Sequence, residues 1–109
     1  MKMLKRTGLA IVVLVAALLA VSQAPAAGPA GVGIKDFKFA PSLLTVAAGA
    51  TVTWTNHDEE PHTITSASGT FTSAGLSNEE TFTQRFTRPG TYAYFCALHP
   101  YMKATVVVR

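Results

Sequence analysis

The sequence predicts an all-β domain, a sandwich of about seven to eight short strands, and three observations carry that expectation. Apolar and polar residues alternate at a period of two, as where Val52, Trp54 and Asn56 interleave with Thr51, Thr53 and Thr55. That spacing puts successive side chains on opposite faces of a half-buried strand. Turn-forming stretches, "FAPS", "ASGT", "SAGLSNEE" and "TRPG", separate runs rich in β-branched and aromatic residues, the rhythm of an antiparallel sandwich or barrel. Beyond the first segment, no stretch holds a helical period over several turns.

The elements follow in order. Lys2, Lys5 and Arg6 precede an uncharged aliphatic run, Gly8 to Val21, and then the small residues "SQAPAAGPAG". These are the three regions of a cleavable signal peptide, expected over 1–26, with Ala24-x-Ala26 as the processing pattern. An uncleaved anchor is the alternative, but the 14-residue run falls short of the roughly 20 residues that span a bilayer. No cysteine follows it to carry a lipid. A flexible Pro/Gly/Ala linker is expected over 27–33 and a single domain over 34–109. In that domain "VGIKDFKF" opens the two-periodic pattern, and "LLTVAAGATVTWTN" continues it with a break at Gly49. "HTITS" and "TFTQRF" read as further strands, and "TYAYFC" and "KATVVVR" close the domain.

Three of the nine basic residues belong to the leader, so the six that remain balance six acidic residues and the exported chain has a net charge of zero. That leaves no basic face for nucleic acid and no segment for stable membrane insertion once the leader is removed; a monomer is expected. From Ala27 the chain has 83 residues. A core of that size is marginal, and small exported domains often add disulfides or a metal. With one cysteine, Cys96, no internal disulfide can form, and an unpaired thiol in an oxidising compartment calls for an occupant.

The stretch "FCALHPYM" supplies one. Cys96 ends a strand whose face also carries Tyr92 and Tyr94, His99 follows three residues later and Met102 three beyond that. Spacings of three fit tight 3₁₀-like turning, stiffened by Pro100. A thiolate, imidazoles and a thioether form a soft set, and two histidines with a cysteine and a weak axial methionine are the ligands of blue-copper electron-transfer sites. The second imidazole comes from "NHDEEPHT": His62, fixed after Pro61, is favoured over His57, which lies in an acidic, solvated turn. Zinc is the nearest competitor, but structural zinc prefers more thiolates and has little use for methionine. A hydrolytic Cys96/His99 pair is weaker, and Ser66, Ser68, Ser73 and Ser77 lack a nucleophile-elbow context.

"TVTWTN…PHT…GTYAYFCALHPYMKATVVV" resembles the cupredoxins, or blue copper proteins, and among them the amicyanins most, with plastocyanins and pseudoazurins close by. The likeness runs from "FKFAPSLLTVAAGATVTWTN" to the end of the chain, and its most specific part is the short C-x₂-H-x₂-M loop. It implies a cupredoxin-like Greek-key β-sandwich holding one type 1 copper ion on His62, Cys96, His99 and Met102. Asn56 matches an asparagine expected to tie the two ligand loops together. The resemblance further implies a non-enzymatic one-electron carrier, periplasmic or otherwise exported. Its transient partners would be a c-type cytochrome and a dehydrogenase donor, met through an apolar ring of Pro61, Leu98, Pro100 and Tyr101 around His99. Copper delivery is the alternative role for the same ligands. Two positions depart from the family pattern: Ala97 stands where a hydroxyl residue commonly helps tie the loops, and Ala104 where glycine is common.

Overall fold

Alternation in the sequence becomes two facing sheets. The computed structural model describes residues 28–109 together with Met3 and Gly8, so the expected leader over 1–26 lies outside the described residues. Among the described residues there are eight strands and no helix: β1 (Pro29–Lys35), β2 (Lys38–Ala40), β3 (Leu43–Val46), β4 (Ala50–Asn56), β5 (Thr65–Ser66), β6 (Thr81–Phe86), β7 (Gly90–Phe95) and β8 (Lys103–Val108). One sheet runs β2-β1-β4-β6 and the other β3-β8-β7-β5, a Greek-key sandwich as expected.

β4 shows how the pattern works. Ala50, Val52, Trp54 and Asn56 are buried while the three threonines between them are half-exposed. Trp54 is the centre of the packing: its ring lies 6.2 Å from Phe71 and 5.5 Å, edge-on, from Tyr94 of the opposite sheet. Val32 and Ile34 from β1 and Val106 and Val108 from β8 are buried in the same core cluster. Each such aliphatic side chain contributes about 1.5–3 kcal/mol by leaving water. Gly49, at φ +96°, makes the turn that carries the chain from β3 in one sheet to β4 in the other.

Three expectations change. The segment read as linker over 27–33 is mostly strand: Pro29 to Gly33 pair with Thr51 to Thr55 as the start of β1. Its Pro/Gly/Ala composition hid this, because the pairing is supplied by a distant strand. That pairing is parallel, as is β3 with β8, so the sandwich is mixed and not purely antiparallel. Parallel neighbours arise because the chain crosses between sheets before returning. "HTITS" forms only the two-residue β5, preceded by an isolated bridge between His62 and Leu76.

Candidate metal centre

Three segments converge at one end of the sandwich: the turn after β1, the loop after β4, and the loop joining β7 to β8. Each is aimed by the strand before it. Tyr94 and Cys96 share the inward face of the β7 register, and Cys96 is fully buried. Beyond it, His99 N–H donates to the Cys96 carbonyl (3.2 Å) and Met102 N–H to the His99 carbonyl (2.9 Å). Two consecutive three-residue turns result, the geometry expected from the spacing. Cys96 N–H closes the loop on the Met102 carbonyl at 3.1 Å, and Met102 is buried just before β8 starts.

His62 enters from the other loop. Its backbone is clamped by paired bonds with Leu76 (3.1 and 2.7 Å), and its ring is buried. The Cys96 Sγ lies 3.7 Å from His62 Nδ1 and 3.7 Å from His99 Nδ1. All ligand atoms of the three residues fall within 4.8 Å of one another. With metal–sulfur and metal–nitrogen distances of about 2.3 and 2.0 Å, values typical of zinc, sulfur and nitrogen on one ion sit about 3.5–3.7 Å apart for tetrahedral to trigonal angles. The set therefore fits a single ion. One thiolate with two imidazoles, and a methionine in the same loop, is a copper donor set and not a structural zinc set.

The rings around these ligands are tightly placed. Phe37, in the turn between β1 and β2, packs edge-to-face with His62 (5.0 Å, 86°) and His99 (4.9 Å, 89°). Asp58 accepts from Asp36 N–H (2.7 Å), Phe37 N–H (2.9 Å) and His62 Nε2–H (2.9 Å). Burial by itself would push the Asp58 carboxyl up, but the Phe37 and Asp36 amides and the His62 imidazole outweigh it and hold the carboxyl below its ordinary value. An ionised carboxylate only accepts, so the His62 Nε2 facing it carries a proton, and Nδ1 is the ring nitrogen turned toward the sulfur. Beneath the cysteine Tyr94 is buried: burial, partly offset by the Trp54 indole, pushes its phenol up to about 12.

Asn56 supports this site in a different way from that expected. Its Nδ2 donates to the carbonyls of Glu60 (2.9 Å) and Leu76 (2.8 Å), and its Oδ1 accepts Asp58 N–H (2.9 Å). It shapes the His62 loop and makes no bond to the cysteine loop. Thr63 makes that tie: its Oγ1 accepts Ala97 N–H at 2.7 Å, and its own N–H donates to Cys96 Sγ at 3.3 Å. The hydroxyl missing at Ala97 is thus supplied from the opposite loop. His57 turns outward, 46% exposed, to bond Glu79 at 3.2 Å.

A profile of the cupredoxin-like domain matches residues 8–108. The chain belongs to the cupredoxin-like family. It is 40% identical over 98 residues to amicyanin-alpha of Methylorubrum extorquens, covering 85% of this chain and 82% of that one. It is 36% identical to amicyanin of Paracoccus denitrificans over 83 residues, 72% of this chain and 63% of the relative. Among solved structures, the Cu(I) form of an amicyanin variant superposes with a TM-score of 0.72 at 33% identity, over 82% of this chain and 95% of that one. A purple cupredoxin from Nitrosopumilus maritimus gives 0.69 at 32% identity, over 73% and 99%. This cupredoxin binds one type 1 copper ion, and the three-residue donor cluster is where the ion fits.

Sequence reasoning missed Asp58, Thr63 and Phe37. Asp58 was read as part of a solvated acidic turn, although its place four residues before His62 was a usable signal. Phe37 and Thr63 carried none, since each matters through a contact remote in sequence.

Proposed function

We propose that this cupredoxin is an exported one-electron carrier, with His62, Cys96 and His99 as the equatorial copper ligands and Met102 as the weak axial one. The supporting observation is the unequal burial of the two imidazoles beside one buried sulfur. His62 is sealed inside, whereas His99 is only half-buried and lies 6.2 Å from the Tyr101 ring. When bound, copper supplies a Cu(II)/Cu(I) couple that passes one electron at a time. The chain holds its ligands on rigid turns, so little rearrangement accompanies the change of charge. His99 serves as the port. Leu98 (53% exposed) and Tyr101 (69% exposed), with the exposed Pro61 and Pro100, surround it with apolar surface. Such a patch suits brief docking, because redox encounters use small interfaces.

A c-type cytochrome as acceptor and a dehydrogenase as donor fit the amicyanin relatives, and the leader over 1–26 fits export of a monomeric domain. Copper delivery would use the same ligands, but full burial of His62 and Cys96 favours retention. The test is stopped-flow electron exchange of the copper-loaded domain with a c-type cytochrome. The reading predicts rapid, saturable oxidation of the reduced protein, and slow outer-sphere exchange indifferent to Leu98 and Tyr101 would contradict it.

A further inference from the structure

The turn between β1 and β2 is conformationally expensive. Lys35 pairs with Lys38, leaving Asp36 and Phe37 as a two-residue hairpin loop with φ of 52° and 59°. Such turns normally take Asn or Gly, because a side chain at positive φ crowds the backbone. A bulky Phe37 there needs compensation from outside the hairpin. It comes from Asp58, 21 residues away from Phe37, whose two oxygens take the two turn amides.

The same carboxylate reaches the metal ligand. Asp58 Oδ2 accepts both Phe37 N–H and His62 Nε2–H, each at 2.9 Å. Asp58 is also fixed in place through its backbone. Its own N–H is held by Asn56 Oδ1 (2.9 Å), and its carbonyl accepts Asn78 Nδ2–H (3.0 Å). The turn and the imidazole are therefore registered against one fixed group, and the turn in its place carries the Phe37 ring that touches both ligand imidazoles.

We propose that Asp58 is a positioning residue of the copper centre: it fixes the tautomer and orientation of His62 and, through the Asp36–Phe37 turn, holds the Phe37 ring against His62 and His99. The proposal rests on the copper-carrier reading only for its electrochemical consequence. A carboxylate on the far nitrogen makes an imidazole a stronger donor, which favours the more positively charged metal state and lowers the reduction potential. An amide at 58 keeps the shape but can also donate, so it no longer selects one tautomer.

The test pairs Asp58→Asn with Phe37→Leu in the full domain and reads two signals. In copper-free protein, ¹⁵N NMR of the His62 ring reports the tautomer, and hydrogen exchange reports the Phe37 amide. The unsubstituted protein is expected to show a slowly exchanging Nε2 proton and a protected Phe37 amide. Asp58→Asn is expected to lose the single tautomer and to speed Phe37 exchange about tenfold or more, as for loss of a charge-assisted hydrogen bond. With Cu(II) added, voltammetry is expected to show an upward shift in potential for Asp58→Asn. Phe37→Leu, which keeps the carboxylate, is expected to keep the His62 tautomer and loosen only the His99 ring. If Asp58→Asn does not fold, a mixed or Nδ1-protonated His62 in the unsubstituted protein overturns the proposal, and a clean Nε2-protonated one supports it. Unchanged tautomer and potential in a folded Asp58→Asn also overturn it. If Cu(II) gives no blue species in any variant, the carrier reading fails, while the copper-free signals still decide the role of Asp58.

Discussion

The two imidazoles that face Cys96 sit 3.7 Å from the same sulfur, yet the loops that carry them are built on opposite plans. The His62 loop is anchored to everything near it: Leu76 holds its backbone, Asn56 its shape, Asp58 its ring and Thr63 its link to the cysteine. The His99 loop is held mainly by its own two turns, and its ring reaches the surface beside Leu98 and Tyr101. The difference supports the proposal that one ligand serves the fold and the other exchange with the outside. On that proposal a buried, bonded ligand would fix the metal, and a half-exposed one would give electrons a short path to a partner.

The sharpest way to break this comparison is to delete each ring in turn. His99→Gly should fold, lose the blue absorption and regain it when free imidazole is added with Cu(II), because the vacated position opens to solvent. His62→Gly should not be rescued, since its site is sealed, and it should also cost about 3–5 kcal/mol as a buried ring with its cavity is lost. Equal rescue of both, read by visible spectroscopy, would erase the distinction between anchor and port. Next in size is Thr63→Val, which keeps the shape but strands Ala97 N–H. Denaturant unfolding of the copper-free protein should show a loss of about 1–3 kcal/mol.

In the core below both loops, the burial of Tyr94 predicts an alkaline effect. Tyr94 keeps its proton in the fold up to about 12, above the ordinary value of about 10 for an unfolded tyrosine. Its raised value contributes stability that is fully present below about pH 10 and is lost as pH climbs toward 12. Tyr94→Phe should flatten that part of the stability curve while leaving neutral pH little changed. The smallest stability effect belongs to the port: Leu98→Ala and Tyr101→Ala should stay within about 0.5 kcal/mol of the parent. Their cost should appear instead as roughly fivefold to tenfold slower electron exchange with a partner, the size expected for a contact at the centre of an interface.

What the sequence disclosed follows the same division. Trp54 among threonines announced β4, and Cys96, His99 and Met102 announced the second ligand loop, because period and spacing are local properties. The linkage that anchors His62 was hidden, since Asp58 acts on Asp36 and Phe37 across more than twenty residues. Pro29 to Gly33 look like linker by composition and become strand only because β4 offers a parallel edge. Asn56 bonds within the His62 loop and does not tie the two loops, and Thr63, one of many threonines in the chain, holds that bond instead. Local signals located the chemistry, and long-range hydrogen bonds determine how rigidly it is held.

Everything depends on one sulfur sharing an ion with two imidazoles. Titrating the purified domain with Cu(II) while recording its visible spectrum tests this most directly. An intense band that saturates at one equivalent and vanishes in Cys96→Ser is the predicted result. A protein that stays colourless with a full equivalent bound, or a Cys96→Ser variant that keeps the colour, would contradict it.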